Sequence, residues 1–124
     1  MNSKNTCCSS GPKLIFACSG AADVGEITDR AARKMTKEGA GKMFCMAGIG
    51  GRVEPIMKAT ASAGRILALD GCGLDCVKHS LEKAGVKDYV HLRVTDLGME
   101  KGSSPATNDR IDQVCQKAIV RMNP

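Results

Sequence analysis

The sequence predicts a three-layer α/β/α domain built on a four-stranded parallel sheet. Three observations point there: four short strand-like runs alternate with helical patterns; a glycine closes each of the first three helical stretches; and the first and third runs are apolar throughout, as strands covered on both faces must be.

Residues 1–12 are rich in Ser, Asn, Gly and Pro, carry the Cys7–Cys8 pair, and are expected to form a flexible tail before one domain over residues 13–124. The first strand is expected over Lys13–Cys18. A helix follows with Val24, Ile27, Ala31 and Met35 on one face, stopped by Gly39. Asp23 is expected to cap it. The second run, Lys42–Met46, leads into Gly48-Ile49-Gly50-Gly51 and then a helix of about ten residues carrying Val53, Ile56, Met57 and Thr60. Pro55 fits only in that helix's first turn, where no N–H is needed.

The third run, Arg65–Asp70, precedes a helix with Leu74, Val77, Leu81 and Ala84, ended by Gly85. In the fourth, Tyr89, His91 and Arg93 alternate with Val90, Leu92 and Val94, which predicts one wet face, one buried face and an edge position. Residues 97–107 read as a loop, and Asn108 as the cap of a last helix burying Ile111, Val114, Cys115, Ala118 and Met122. Right-handed crossovers and the burial pattern favour strand order 2-1-3-4, a doubly wound sheet of the Rossmann or flavodoxin-like kind.

Composition narrows function. The net charge is +5, but the Lys and Arg residues spread over helix surfaces and the aromatics are only Phe16, Phe44 and Tyr89. That argues against nucleic acid as a partner. No apolar run approaches the roughly 20 residues of a membrane span. Leu14–Cys18 followed by small residues mimics a signal peptide, but its apolar stretch is shorter than the roughly seven residues an h-region needs. A reducing, cytoplasmic setting is therefore expected, where the seven cysteines mean metal or redox chemistry rather than disulfides.

Cys18 ends the first run, Cys45 lies at the end of the second and Cys72 follows the third, separated by 27 and 27 residues. In a parallel sheet all carboxyl ends share one edge, so these cysteines converge there, on chains ~4.8 Å apart. Cys76, four residues past Cys72, supplies a fourth thiol. Four thiolates suit a tetrahedral ion with bonds of ~2.3 Å, so zinc is expected ahead of an iron–sulfur cluster. Asp70 is placed to accept loop N–H bonds and orient the thiolates. His79 is expected to face solvent, and Cys115 to be core.

Two other motifs fail. The Gly48–Gly51 run resembles a dinucleotide loop, but Val53 stands where a third small residue belongs. Cys18-Ser19-Gly20-Ala21-Ala22-Asp23 resembles a cysteine-phosphatase loop without the Arg that holds phosphate. The rival to a metal site is a thiol enzyme of redox or sulfur-transfer type, with Cys18 or Cys72 as nucleophile.

Across about residues 13–122, Asp70-Gly71-Cys72, Cys18-Ser-Gly-Ala-Ala-Asp-Val-Gly25 and Cys45-Met-Ala-Gly-Ile-Gly-Gly51 resemble the DGC-domain family of bacteria and archaea. The resemblance implies a zinc site formed by Cys18, Cys45, Cys72 and Cys76. It implies no particular reaction or protein partner.

Overall fold

A computed structural model describes residues 11–123. Its elements are β1 (Lys13–Ala17), α1 (Asp23–Lys37), β2 (Lys42–Met43), α2 (Met46–Gly50), α3 (Glu54–Ala61), β3 (Arg65–Asp70), α4 (Cys76–Lys83), β4 (Val90–Arg93) and α5 (Asn108–Met122), with a 3-10 turn over Val94–Leu97. The strands pair in parallel in the order β2-β1-β3-β4, as the burial pattern predicts.

Alternation along β1 and β3 divides the core into two layers. Ile15, Ala17, Leu67 and Leu69 face α1 and α5, whose buried residues include Ile27, Met35, Ile111 and Val114. Leu14, Phe16, Ile66 and Ala68 face the other way, onto Ile49, Val77 and Leu81. Both strands are buried on two faces, which is why they read as unbroken apolar runs. β2 pairs over only two residues, Leu14 with Lys42 and Ile15 with Met43. Phe16 and Phe44 extend the contact edge to face, with ring centroids 6.0 Å apart.

Several local expectations are corrected. The glycine run is not a loop: α2 runs through it, and Gly48 lets α3 approach, because a Cβ there would lie 2.6 Å from Ile56 Cγ1. The helix expected after the run is α3, 8 residues long rather than about ten, with Pro55 in its first turn as expected but with Val53 exposed at its N-cap. α4 begins at Cys76, because Asp75 takes a left-handed conformation (φ 52°, ψ 46°) and cuts Leu74, which is 66% exposed, off from the helical spacing of Val77 and Leu81. α5 is capped by Thr107, whose hydroxyl accepts from the Arg110 N–H, rather than by Asn108. No described helix is long and apolar enough to cross a membrane.

Candidate metal and thiol site

At the carboxyl edge of the sheet a cavity of about 340 Å³ opens between the loop after β1 and the loop after β3. Cys18, Cys72 and Cys76 line it, together with Asp70, Asp75 and Lys101. A second cavity of about 330 Å³ lies at the opposite edge, between the start of β3 and the segment before β4, and no cysteine lines it.

Each thiol is set by its element. The Cys18 N–H donates to Leu69 O at 3.0 Å, so pairing with β3 continues one residue past β1. Ser19 then turns left-handed (φ 52°), and its N–H donates to Thr28 Oγ1 at 3.2 Å. Thr28 is buried and spends its own hydroxyl proton on Gly25 O at 2.8 Å. The Cys18 thiol, 3.4 Å from the same oxygen, is therefore the donor there. The loop lies so close to α1 that a Cβ on Gly25 would come within 2.5 Å of Gly20 O. That close approach is what Gly25 serves in the Cys18–Gly25 motif.

Gly71 does the same for Asp70-Gly71-Cys72: a Cβ there would sit 3.0 Å from the Val24 backbone. Asp70 is buried at the end of β3 and accepts from the Val77 and Lys78 N–H groups at 2.8 and 3.1 Å. Its carboxylate thus fills the first turn of α4 in place of a side-chain cap from Asp75, which makes none. The N–H bonds come from the helix that carries Cys76, rather than from the loop.

The left-handed Asp75 points its carboxylate at Arg93, with contacts of 2.9 and 2.5 Å. Hydrogen bonds from that guanidinium hold the Asp75 carboxyl below the usual carboxylate range. His91 Nε2 sits 2.9 Å from Asp70 and 3.5 Å from Asp75. The face of β4 expected to be wet is therefore a half-buried ionic network. Among the described residues Asp70, Asp75 and His91 are also the only three Cys, His, Asp or Glu side chains whose ligand atoms all fall within 4.8 Å of one another. Helix N–H groups and Arg93 already account for those carboxylates.

Cys45 stands apart. It ends the β2 segment on the same edge, is exposed, and does not line the cavity. Its Sγ accepts from the Gly48 N–H at 3.3 Å and caps α2. No three thiols among the described residues lie within 4.8 Å of one another. The structure thus brings Cys18, Cys72 and Cys76 to one cavity without gathering all three sulfurs within 4.8 Å of one another, and leaves Cys45 outside it. All five described cysteines are free; Cys7 and Cys8 lie outside the described residues.

Cys115 is buried on α5, where desolvation pushes its thiol up to about 11. His79 is exposed. Asp23 does not cap α1 in the expected way: its N-cap is Ala22, and the Asp23 carboxylate accepts from the N–H groups of Val24, Gly102 and Ser104.

Lys101 was not visible as a site residue. Its Nζ lies 3.7 Å from Cys72 Sγ, 29 positions apart in a loop of ordinary composition. No sequence signal marks such a contact. Thr28 and Arg93 do carry a signal in the sequence, since Thr28 follows Ile27 on the buried face of α1 and Arg93 alternates with the apolar residues of β4.

The family model of the DGC domain matches residues 14–118. The chain is similar to the "Anaerobic and virulence modulator AnvM" of Pseudomonas aeruginosa, 36% identical over 88 residues that cover 71% of this chain and 67% of that protein. No solved structure matches.

Proposed function

The chain belongs to the DGC-domain family, and from that premise we propose that it is a cytoplasmic metal-binding protein holding one zinc ion with Cys18, Cys45, Cys72 and Cys76. The observation that carries this reading is the arrival of Cys18, Cys72 and Cys76 at one cavity from two separate strand ends and a helix start, with Cys45 on the same edge. A donor set made only of thiols suits zinc or another soft ion and does not suit magnesium or calcium. Closing the set needs rotation about χ1 of the cavity cysteines and a shift of the segment carrying Cys45. The Gly48 N–H would remain a donor to the Cys45 thiolate. Asp70, by fixing the first turn of α4, orients Cys76.

Four thiolates fill a zinc ion's coordination shell, where catalytic zinc keeps a position open. The P. aeruginosa relative is named as a modulator, and a modulatory role agrees with such a filled site. The test is metal analysis of anaerobically purified protein. One zinc per chain is expected, lost in Cys45→Ser and Cys76→Ser and kept in Cys115→Ser. Full retention in the Cys45 and Cys76 variants would sink the four-cysteine site. An iron–sulfur cluster would show itself by visible absorbance and bound sulfide. Fast alkylation of Cys18 or Cys72 alone in zinc-loaded protein would favour the thiol-enzyme reading instead.

A further inference from the structure

Lys101 is the only Lys or Arg among the described residues lining the cavity. Its ammonium meets a thiol, Cys72 Sγ at 3.7 Å, and makes no ion pair with a carboxylate among the described residues. The turn that carries it is built to hold position. Gly102 takes a left-handed conformation (φ 93°). The Ser103 N–H donates to Glu100 O at 2.9 Å, and the Glu100 N–H to Ser104 Oγ at 2.8 Å. Met99 and Ser104 are buried on either side. The clamp is Asp23: its carboxylate accepts from the Gly102 N–H at 2.9 and 3.0 Å and from the Ser104 N–H at 2.9 Å.

Resting on the zinc reading above, we infer that Lys101 is the charge partner of the thiolate cluster and that Asp23 is the residue that positions it. Zinc held by four thiolates carries a net double negative charge, gained when four neutral thiols give up their protons. The carboxylates around the cavity add to that burden. Asp70 and Asp75 line the same cavity. Two N–H groups of the first turn of α4, which would otherwise favour a thiolate at Cys76, are bonded to Asp70. Arg93 is committed to Asp75 and Asp96. Lys101 is the cation left to offset the charge, and it reaches the site from a loop far along the chain only because Asp23, in the Cys18–Gly25 motif, fastens that loop to the start of α1.

The experiment is competition for zinc between a chromophoric chelator and the full-length protein, run on wild type, Lys101→Met, Lys101→Arg, Asp23→Ala and the Asp23→Ala/Lys101→Met pair. Far-ultraviolet circular dichroism of each variant confirms that it is folded. Lys101→Met should weaken zinc binding by about tenfold or more, the scale of outer contacts to metal ligands, and Lys101→Arg should restore most of it. The gap between wild type and Lys101→Met should shrink at about 1 M salt, because the ammonium is exposed and its field is screened. Asp23→Ala should weaken binding alone but add little in the Lys101→Met background, since it acts through the lysine. Equal affinity of Lys101→Met and wild type would overturn the inference while leaving the zinc site standing. Full additivity of the pair would overturn the role given to Asp23. Wild type that takes up no zinc would overturn the zinc reading itself.

Discussion

At the scale of single residues, the acidic side chains decide what the carboxyl edge looks like. Asp23 is pulled below the usual carboxylate range, first by the Gly102 N–H and then by the Ser104 N–H. A carboxyl whose pKa is depressed by folding stabilises the folded state above its unfolded value, roughly pH 4. That contribution is lost as pH falls through the lower, folded value. The clamp on the 102–104 turn should therefore weaken in acid. Thermal melts followed by circular dichroism between about pH 5 and pH 3 should show a steeper loss for wild type than for Asp23→Asn, which has little left to titrate at this point. Parallel slopes would show that the clamp adds nothing to acid sensitivity. The cysteines were legible in the sequence because topology alone places strand ends on one edge. Lys101 was not, because its contact with Cys72 depends on a loop fastened by Asp23, and Asp23 read as an ordinary helix cap. Cys45 was legible as an edge residue, while its outward position was not, since two residues of pairing leave β2 too short to carry its direction forward.

Among the elements, the glycines separate local propensity from packing. Glycine costs roughly 0.5–1 kcal/mol in a helix interior, so Gly48-Ile49-Gly50-Gly51 reads as a loop; the contact of Gly48 with Ile56 overrides that preference and makes α2. The same reasoning hid the start of α4. Leu74, Val77, Leu81 and Ala84 keep helical spacing, yet Asp75 is left-handed and the helix cannot extend back through it. By contrast α1 and α5 were legible along their length, though not at their caps, because each is fifteen residues long and lays one apolar stripe on the sheet. Two alanine substitutions distinguish the kinds of glycine. Gly25→Ala drives a Cβ into the Gly20 backbone, which cannot rotate away as a side chain could. It should cost about 1–3 kcal/mol and loosen the loop that bears Cys18. Gly50→Ala meets nothing within 4 Å and needs no positive φ, so it should be neutral or stabilise by roughly 0.5 kcal/mol. Chemical denaturation of both variants checks the pair. Similar losses in the two would mean that backbone proximity at Gly25 is not what that glycine serves.

For the whole molecule, the question is whether the proposed metal holds the fold together or only its edge. Small modules that lack a core take roughly 10–16 kcal/mol of folding energy from structural zinc. Here β1 and β3 are buried on both faces, and α1 and α5 close one side of the sheet with Ile27, Met35, Val114 and Ala118 fully covered. The cysteines of the site only border that packing: Cys72 lies against the α1 and α5 layer and Cys18 against the opposite one, and neither is among the buried residues that form the core. The edge is uneven. Around β3 it is tied by Asp70 to α4, by Asp75 to Arg93 and by the Thr95 N–H to Gly71 O. Around β2 it relies on a two-residue pairing and the five-residue α2, which buries only Gly48 and Ile49. Chelation should therefore leave the helical circular dichroism intact at 25 °C while lowering the melting temperature. Hydrogen exchange should rise most at residues 45–52, less at 18–25, least at 71–77, and hardly at all at Leu67 or Val114. A uniform rise across the sheet, or loss of helical signal on chelation, would show that the two-layer core does not stand without the ion.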